Sequence, residues 1–121
     1  MLKLKRVYDP PEPDDGQRLL LDRLWPRGLS KDKAHVDRWL KDIAVSDELR
    51  RWFGHDPQRW PEFQRRYRQE LLAHQDVLRE LAEQASRGTI TILYAARDDQ
   101  HNNALVLRQA LEEIGASLVR R

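Results

Sequence analysis

The sequence predicts an α/β fold: a single domain over residues 1–121, with a mostly parallel or mixed sheet of four to five strands flanked by helices. Three observations predict it. Thr89-Ile90-Thr91-Ile92-Leu93-Tyr94-Ala95-Ala96 is an apolar, β-branched run that stops abruptly in Arg97-Asp98-Asp99-Gln100-His101-Asn102-Asn103, as a strand emptying into a polar loop would. Directly after it, Ala104, Leu107, Leu111 and Ile114 recur at helical spacing, with Val106 and Ala110 beside them, so the loop is also the mouth of a helix over about 100–114. Before it, Trp60, Phe63, Tyr67, Leu71, His74, Leu78, Leu81 and Ala85 run down one face of a long helix that ends at Gly88. The strand over 89–96 is therefore the central one, with the long helix packed across one face of the sheet.

The remaining elements follow in order. Residues 2–8 alternate Leu2, Leu4, Arg6 and Tyr8 against Lys3, Lys5 and Val7, a half-buried strand whose lysines suit an edge. Asp9-Pro10-Pro11-Glu12-Pro13-Asp14-Asp15-Gly16 is a loop, since its prolines remove donors and bias their predecessors to extended geometry. Arg18–Trp25 reads as a second strand, covered on both faces in its apolar first half. The link is short for a parallel crossover, so the two strands are expected to be antiparallel or non-adjacent. Ser30 caps a helical turn over Lys31, Asp32 and Lys33. Residues 35–45 fit either a helix or a short buried strand, and are read as a strand. Ser46 caps a short helix holding Leu49, Trp52 and Phe53, which Gly54 ends. Asp56-Pro57 opens the long helix, with a break expected near His74-Gln75-Asp76 and Asp76 as the cap of its second piece. Residues 115–120 leave room for one more short strand.

Composition excludes several classes. Four Trp, three Tyr and two Phe supply bulky core material, which argues against disorder despite a mean hydropathy of −0.83. Lys and Arg outnumber Asp and Glu only 22 to 20, so nucleic acid is an unlikely partner on charge grounds. The absence of Cys removes disulfides, thiolate nucleophiles and Cys zinc sites. Met1-Leu2-Lys3-Leu4-Lys5-Arg6 lacks the apolar core of a secretion signal and no run reaches membrane-spanning length, so the expectation is a cytoplasmic protein without a membrane partner. His35, His55 and His74 do not fall in a metal-ligand spacing, no metal is expected, and no glycine-rich phosphate loop points to a cofactor.

Chemistry concentrates at two strand ends: Asp22-Arg23 with Arg27 beyond, and Arg97-Asp98 with His101 beyond. In open α/β sheets ligands sit outside the carboxyl ends of strands, and a helix start offers free N–H groups to an anion. If these strands are neighbours, Arg23, Arg27 and Arg97 form an anion clamp, because a guanidinium bonds carboxylate or phosphate through a planar fork. The competing reading is a structural ion network in which Asp22 and Asp98 pair with these arginines. His101, placed in the first helical turn where the dipole favours a neutral imidazole, is a candidate acid or base with Asp98 orienting a partner. The bland reading makes it a solvent-facing or capping histidine. Trp25 and Tyr94 would wall the pocket; Asn102 and Asn103 would contact a ligand or, the favoured reading, brace the loop. Arg59, Arg65, Arg66 and Arg68 near Trp60 and Tyr67 could suit an RNA backbone, but Glu62 and Glu70 dilute the charge and a solvated helix face is the better reading.

Three blocks together carry a resemblance: Asp22-Arg23-Leu24-Trp25-Pro26-Arg27-Gly28-Leu29-Ser30-Lys31; Trp52-Phe53-Gly54-His55-Asp56-Pro57 with Trp60, Phe63 and Tyr67; and Leu93-Tyr94-Ala95-Ala96-Arg97-Asp98 with His101-Asn102-Asn103-Ala104. The chain resembles the YeaO-like family, domain-of-unknown-function family 488, over nearly its whole length. One departure is Val45, where the resemblance leads one to expect proline, in a loop taken to lie away from the site. The resemblance implies a Rossmann-like α/β domain with polar motifs gathered at one end, and carries no activity with it. The functional expectation is a pocket for a small anionic or nucleotide-like ligand, with His101 and Asp98 as the candidate catalytic pair. The alternative is a non-enzymatic module binding nucleic acid or protein through the arginine-rich helix.

Overall fold

The computed structural model describes residues 1–119 and shows an α/β architecture built on one parallel sheet flanked by helices. The strands are β1 (Leu2–Arg6), β2 (Gln17–Leu20), β3 (Arg38–Trp39) and β4 (Ile90–Tyr94), in the order β1-β4-β2-β3. The helices are α1 (Lys31–Ala34), α2 (Asp47–Phe53), α3 (Trp60–Leu72), α4 (Gln75–Arg87) and α5 (Asn103–Val119). β4 is central and buried along its length, paired in parallel with β1 on one side and β2 on the other. β1 and β2 are thus non-adjacent, and the short link between them crosses one face of β4. No helix among the described residues is long and apolar enough to cross a membrane.

Strand alternation sorts the sheet into two unlike faces. Leu2, Leu4, Leu19, Leu21, Ile90, Ile92 and Tyr94 face a layer made by α2, α3, α4 and α5. Within that layer Tyr67 is fully buried and its hydroxyl donates to the Ile43 carbonyl at 2.7 Å, while Phe63 stacks on Phe53 at 4.3 Å between centroids. The opposite face carries Leu20, Leu93 and Val7 under the short α1, and beside them Lys3, Lys5, Arg18 and Thr91. These polar residues receive the crossing link. Asp15, only 1% exposed, accepts from Arg18 at 2.6 Å, Lys3 at 3.0 Å and Lys5 at 3.1 Å, and its carbonyl accepts from Thr91 Oγ1 at 2.7 Å. Burial alone would raise the Asp15 carboxyl, but the Glu12 N–H together with Lys3, Lys5 and Arg18 holds it well below the usual carboxylate range. Gly16 makes the approach possible: its φ is +63°, and a Cβ there would lie 2.0 Å from the Thr89 carbonyl oxygen.

Several expectations need correction. The link folds a 3-10 turn over Pro13–Asp15, with Pro13 at a first-turn position where no donor is needed. The second strand stops at Leu20 instead of running to Trp25, because Asp22 takes over the next partner on β4 by its side chain (below). In residues 35–45 only Arg38–Trp39 pair as strand, and Lys41–Ile43 turn as 3-10 helix. The long helix is broken, as its length suggested, but at Ala73-His74; His74 occupies the cap position without a side-chain bond, and Asp76 lies in the first turn of α4. α5 begins at Asn103 and continues through Gly115 to Val119, so the expected strand at 115–119 is helix, and residue 120 lies outside the described residues. Ile114 and Leu118 extend the stripe of Leu107 and Leu111 onto the core, which outweighs the helix cost of about 1 kcal/mol for one glycine.

Three substitutions test this packing. Phe63→Ala should destabilise by about 3–5 kcal/mol through a cavity, and Tyr67→Phe by roughly 1–3 kcal/mol through the orphaned Ile43 carbonyl, both read from urea denaturation midpoints. Asp15→Ala leaves Arg18 buried without its carboxylate and should cost about 3 kcal/mol or more. Because the folded Asp15 carboxyl is depressed, its contribution is fully present above the unfolded value near 3.9 and is lost as pH falls below it. Urea titrations between neutral and acid pH should show the wild type losing this increment on acidification and Asp15→Ala lacking it throughout.

Candidate functional site

Where β2 and β4 end, the ladder is completed by a side chain. Leu21 N–H still donates to the Leu93 carbonyl at 3.0 Å, but the next β4-side donor, Ala95 N–H, gives its hydrogen to Asp22 Oδ2 at 2.8 Å. The other carboxylate oxygen of Asp22 accepts from Asn103 Nδ2 at 3.1 Å, and the Asp22 carbonyl accepts from Trp39 Nε1 at 2.6 Å. Asp22 therefore ties together the ends of β2 and β4, β3, and the start of α5. Beyond it the two chains diverge around a cavity of about 450 Å³.

The cavity has poles of different character. The segment after Asp22 contributes Arg23, Arg27 and Trp25, whose indole donates to the Leu29 carbonyl at 2.6 Å and meets Trp39 edge-on at 5.5 Å. Tyr8 pins this segment by donating to the Arg27 carbonyl at 3.0 Å. Neither Arg23 nor Arg27 forms an ion pair among the described residues, whereas Arg50, also on the cavity, pairs with Asp47 at 2.7 Å. Arg50 is the main cause of the lowered Asp47 carboxyl, with charge from Arg51 and Arg23 adding to it. Phe53, Phe63 and Val45 supply an apolar wall, and His55, at φ +56°, borders the cavity from the turn after α2. Burial pushes the Asp22 carboxyl up, against the pull of Asn103, the Ala95 N–H and the charge of His55.

The expected site residues are thus partly gathered. Arg23, Arg27, Trp25, His101, Asn102 and Asn103 border one cavity, because β2 and β4 are neighbours. Arg97 is exposed and Tyr94 is buried in the helical-face core; neither borders it. The arginine–aspartate network is not what forms: Asp22 bonds amides, and Asp98 bonds His101 Nδ1 at 2.9 Å. The Gln100 N–H first, and His101 next, hold Asp98 below its ordinary value. His101 precedes the helix instead of lying in its first turn; Asn102 is the cap, accepting from Leu105 N–H at 3.1 Å. The imidazole also meets Trp60 edge-on at 5.5 Å, so Asp98 and Trp60 fix the ring and leave Nε2 for other contacts.

The arginines of α3 and the turn before it have local partners. Arg65 and Arg66 both bond Glu62 and hold its carboxyl down at about 2, Arg59 pairs with Asp56, and Arg68 with Glu113.

Comparison with known proteins places the chain in a family. A family model described as the inactive DUF488-N3 subclade matches residues 1–117. The uncharacterised protein YeaO of Escherichia coli is 41% identical over 113 residues, 93% of this chain and 98% of that protein. The chain belongs to the YeaO-like DUF488 family. The uncharacterised protein Rv3073c of Mycobacterium tuberculosis and its Mycobacterium bovis counterpart Mb3100c are each 44% identical over 111 residues, 91% of this chain and 92% of theirs. No solved structure matches the chain.

For this YeaO-like chain, sequence reasoning missed the cavity roles of Tyr8, Arg50, Phe53, His55 and Phe63. Val45 needs correction: it was placed away from the site, yet it is buried on the cavity wall. Phe53 and Phe63 had been recognised as core, and core residues at the edge of a crevice carry no separate sequence signal. His55 sits in the left-handed turn after Gly54, where histidine is one of the tolerated residues, so it carried no separate signal either.

In a carboxyl-carbon NMR titration, Asp22 should titrate above, and Asp98 below, the ordinary aspartate value of about 3.9.

Proposed function

We propose that this cavity binds a small anionic, nucleotide-like ligand. The observation that supports the reading is that Arg23 and Arg27, which form no ion pair among the described residues, border the same crevice as His101 and the N-terminal cap of α5. Two guanidiniums without an ion pair among the described residues offer planar forks to a phosphate-like group, and a location outside the carboxyl ends of parallel strands is where α/β sheets bind ligands. The cavity volume falls in the range of about 300–1,000 Å³ usual for small-molecule sites. Asp98 orients His101, which adds a hydrogen bond through Nε2. The matching family model is described as inactive, which favours a reading without turnover. The alternative module, reading nucleic acid through α3, is weakened by the carboxylate partners of Arg59, Arg65, Arg66 and Arg68.

Pyrophosphate or orthophosphate at millimolar concentration should raise the melting temperature, since a ligand that binds only the native state stabilises it by mass action. Arg23→Ala combined with Arg27→Ala should remove that rise, His101→Ala should reduce it, and Arg97→Ala should keep it. A rise that persists without Arg23 and Arg27 would sink this reading.

A further inference from the structure

We infer that the anion accepted by this cavity carries a planar ring whose N–H edge donates to Asp22, the pattern of a guanine nucleotide; this rests on the anion-site reading above. Asp22 borders the cavity, and each of its oxygens already accepts one protein hydrogen bond, from Ala95 N–H and from Asn103 Nδ2. A carboxylate oxygen has two lone-pair sites, so one on each oxygen remains. No cation pairs with Asp22 among the described residues, although it is partly withdrawn from water. A half-buried carboxylate in this state is stabilised by added donors, and a pair of adjacent N–H groups satisfies both oxygens at once.

The rest of the cavity narrows the donor. Trp25, Pro26, Val45, Phe53 and Phe63 line the same cavity with flat and branched apolar groups, which suit a ring better than a hydrated chain. Arg23 and Arg27 then take the phosphate. Among common bases, guanine presents adjacent N1–H and N2–H donors. Adenine sets an acceptor beside its donor, and uracil flanks one N–H with carbonyls, both of which repel a carboxylate.

Isothermal titration calorimetry on the full chain with GMP, IMP, AMP, ribose 5-phosphate and orthophosphate tests this. GMP should bind at least tenfold more tightly than IMP, which lacks the 2-amino donor, and than AMP and ribose 5-phosphate. Asp22→Asn should erase that preference; if the variant does not fold, the ratio of GMP to IMP on the unaltered protein carries the test. Equal affinity for GMP and IMP, AMP or ribose 5-phosphate would overturn the guanine inference and leave the anion site standing. Absence of binding by every probe, orthophosphate included, would overturn both.

Discussion

The exchange of a backbone partner for a side chain at Ala95 shapes everything at the carboxyl end of the sheet. Had a backbone carbonyl of the Asp22 segment met the Ala95 N–H, β2 and β4 would have continued side by side and closed the crevice. Because the Asp22 carboxylate takes that hydrogen, the β2 segment turns away at Asp22 while remaining tied to β4. The same residue is held by the Trp39 indole and the Asn103 amide, so β3 and α5 are positioned by it as well. The cost is a carboxylate partly removed from water and unpaired with a cation among the described residues, visible in its raised proton affinity.

The two faces of the sheet solve different problems. One buries a continuous apolar cluster against α2 to α5 and supplies most of the hydrophobic stabilisation. The other must accept a link passing over β4, and does so with ions: Lys3, Lys5 and Arg18 converge on Asp15, while Thr91 donates to its carbonyl. A buried carboxylate facing three cations is tolerable only because its hydrogen bonds are complete. The link therefore has one register on the sheet, and it delivers β2 beside β4, which is the adjacency the site needs.

Charge is distributed to match. The arginines of α3 are neutralised by Glu62, three or four residues away, or by Glu113 on α5, so that face presents little net field. Arg23 and Arg27 follow the strand end in a segment rich in turn-forming residues and form no ion pair among the described residues, although the charge of Arg23 reaches Asp47 on α2. A nearly balanced chain can thus concentrate positive charge at one crevice, and membership of the YeaO-like DUF488 family extends this question to relatives that match over almost the full chain.

The α/β class, the central strand and the Ser46 and Gly54 helix ends were determined by sequence alone, because periodicity, capping residues and turn residues act over a few neighbours. The gathering of Arg23, Arg27 and His101 was legible only conditionally, since it required β2 and β4 to be neighbours. Tertiary structure decided the rest. β2 ends early because the Asp22 side chain, where a strand would place a carbonyl, accepts the Ala95 N–H, and α5 runs through Gly115 because Ile114 and Leu118 find the core. Arg97 faces solvent while Val45, Phe53, His55 and Phe63 border the cavity, because which way a residue near a loop points depends on elements far away in the chain.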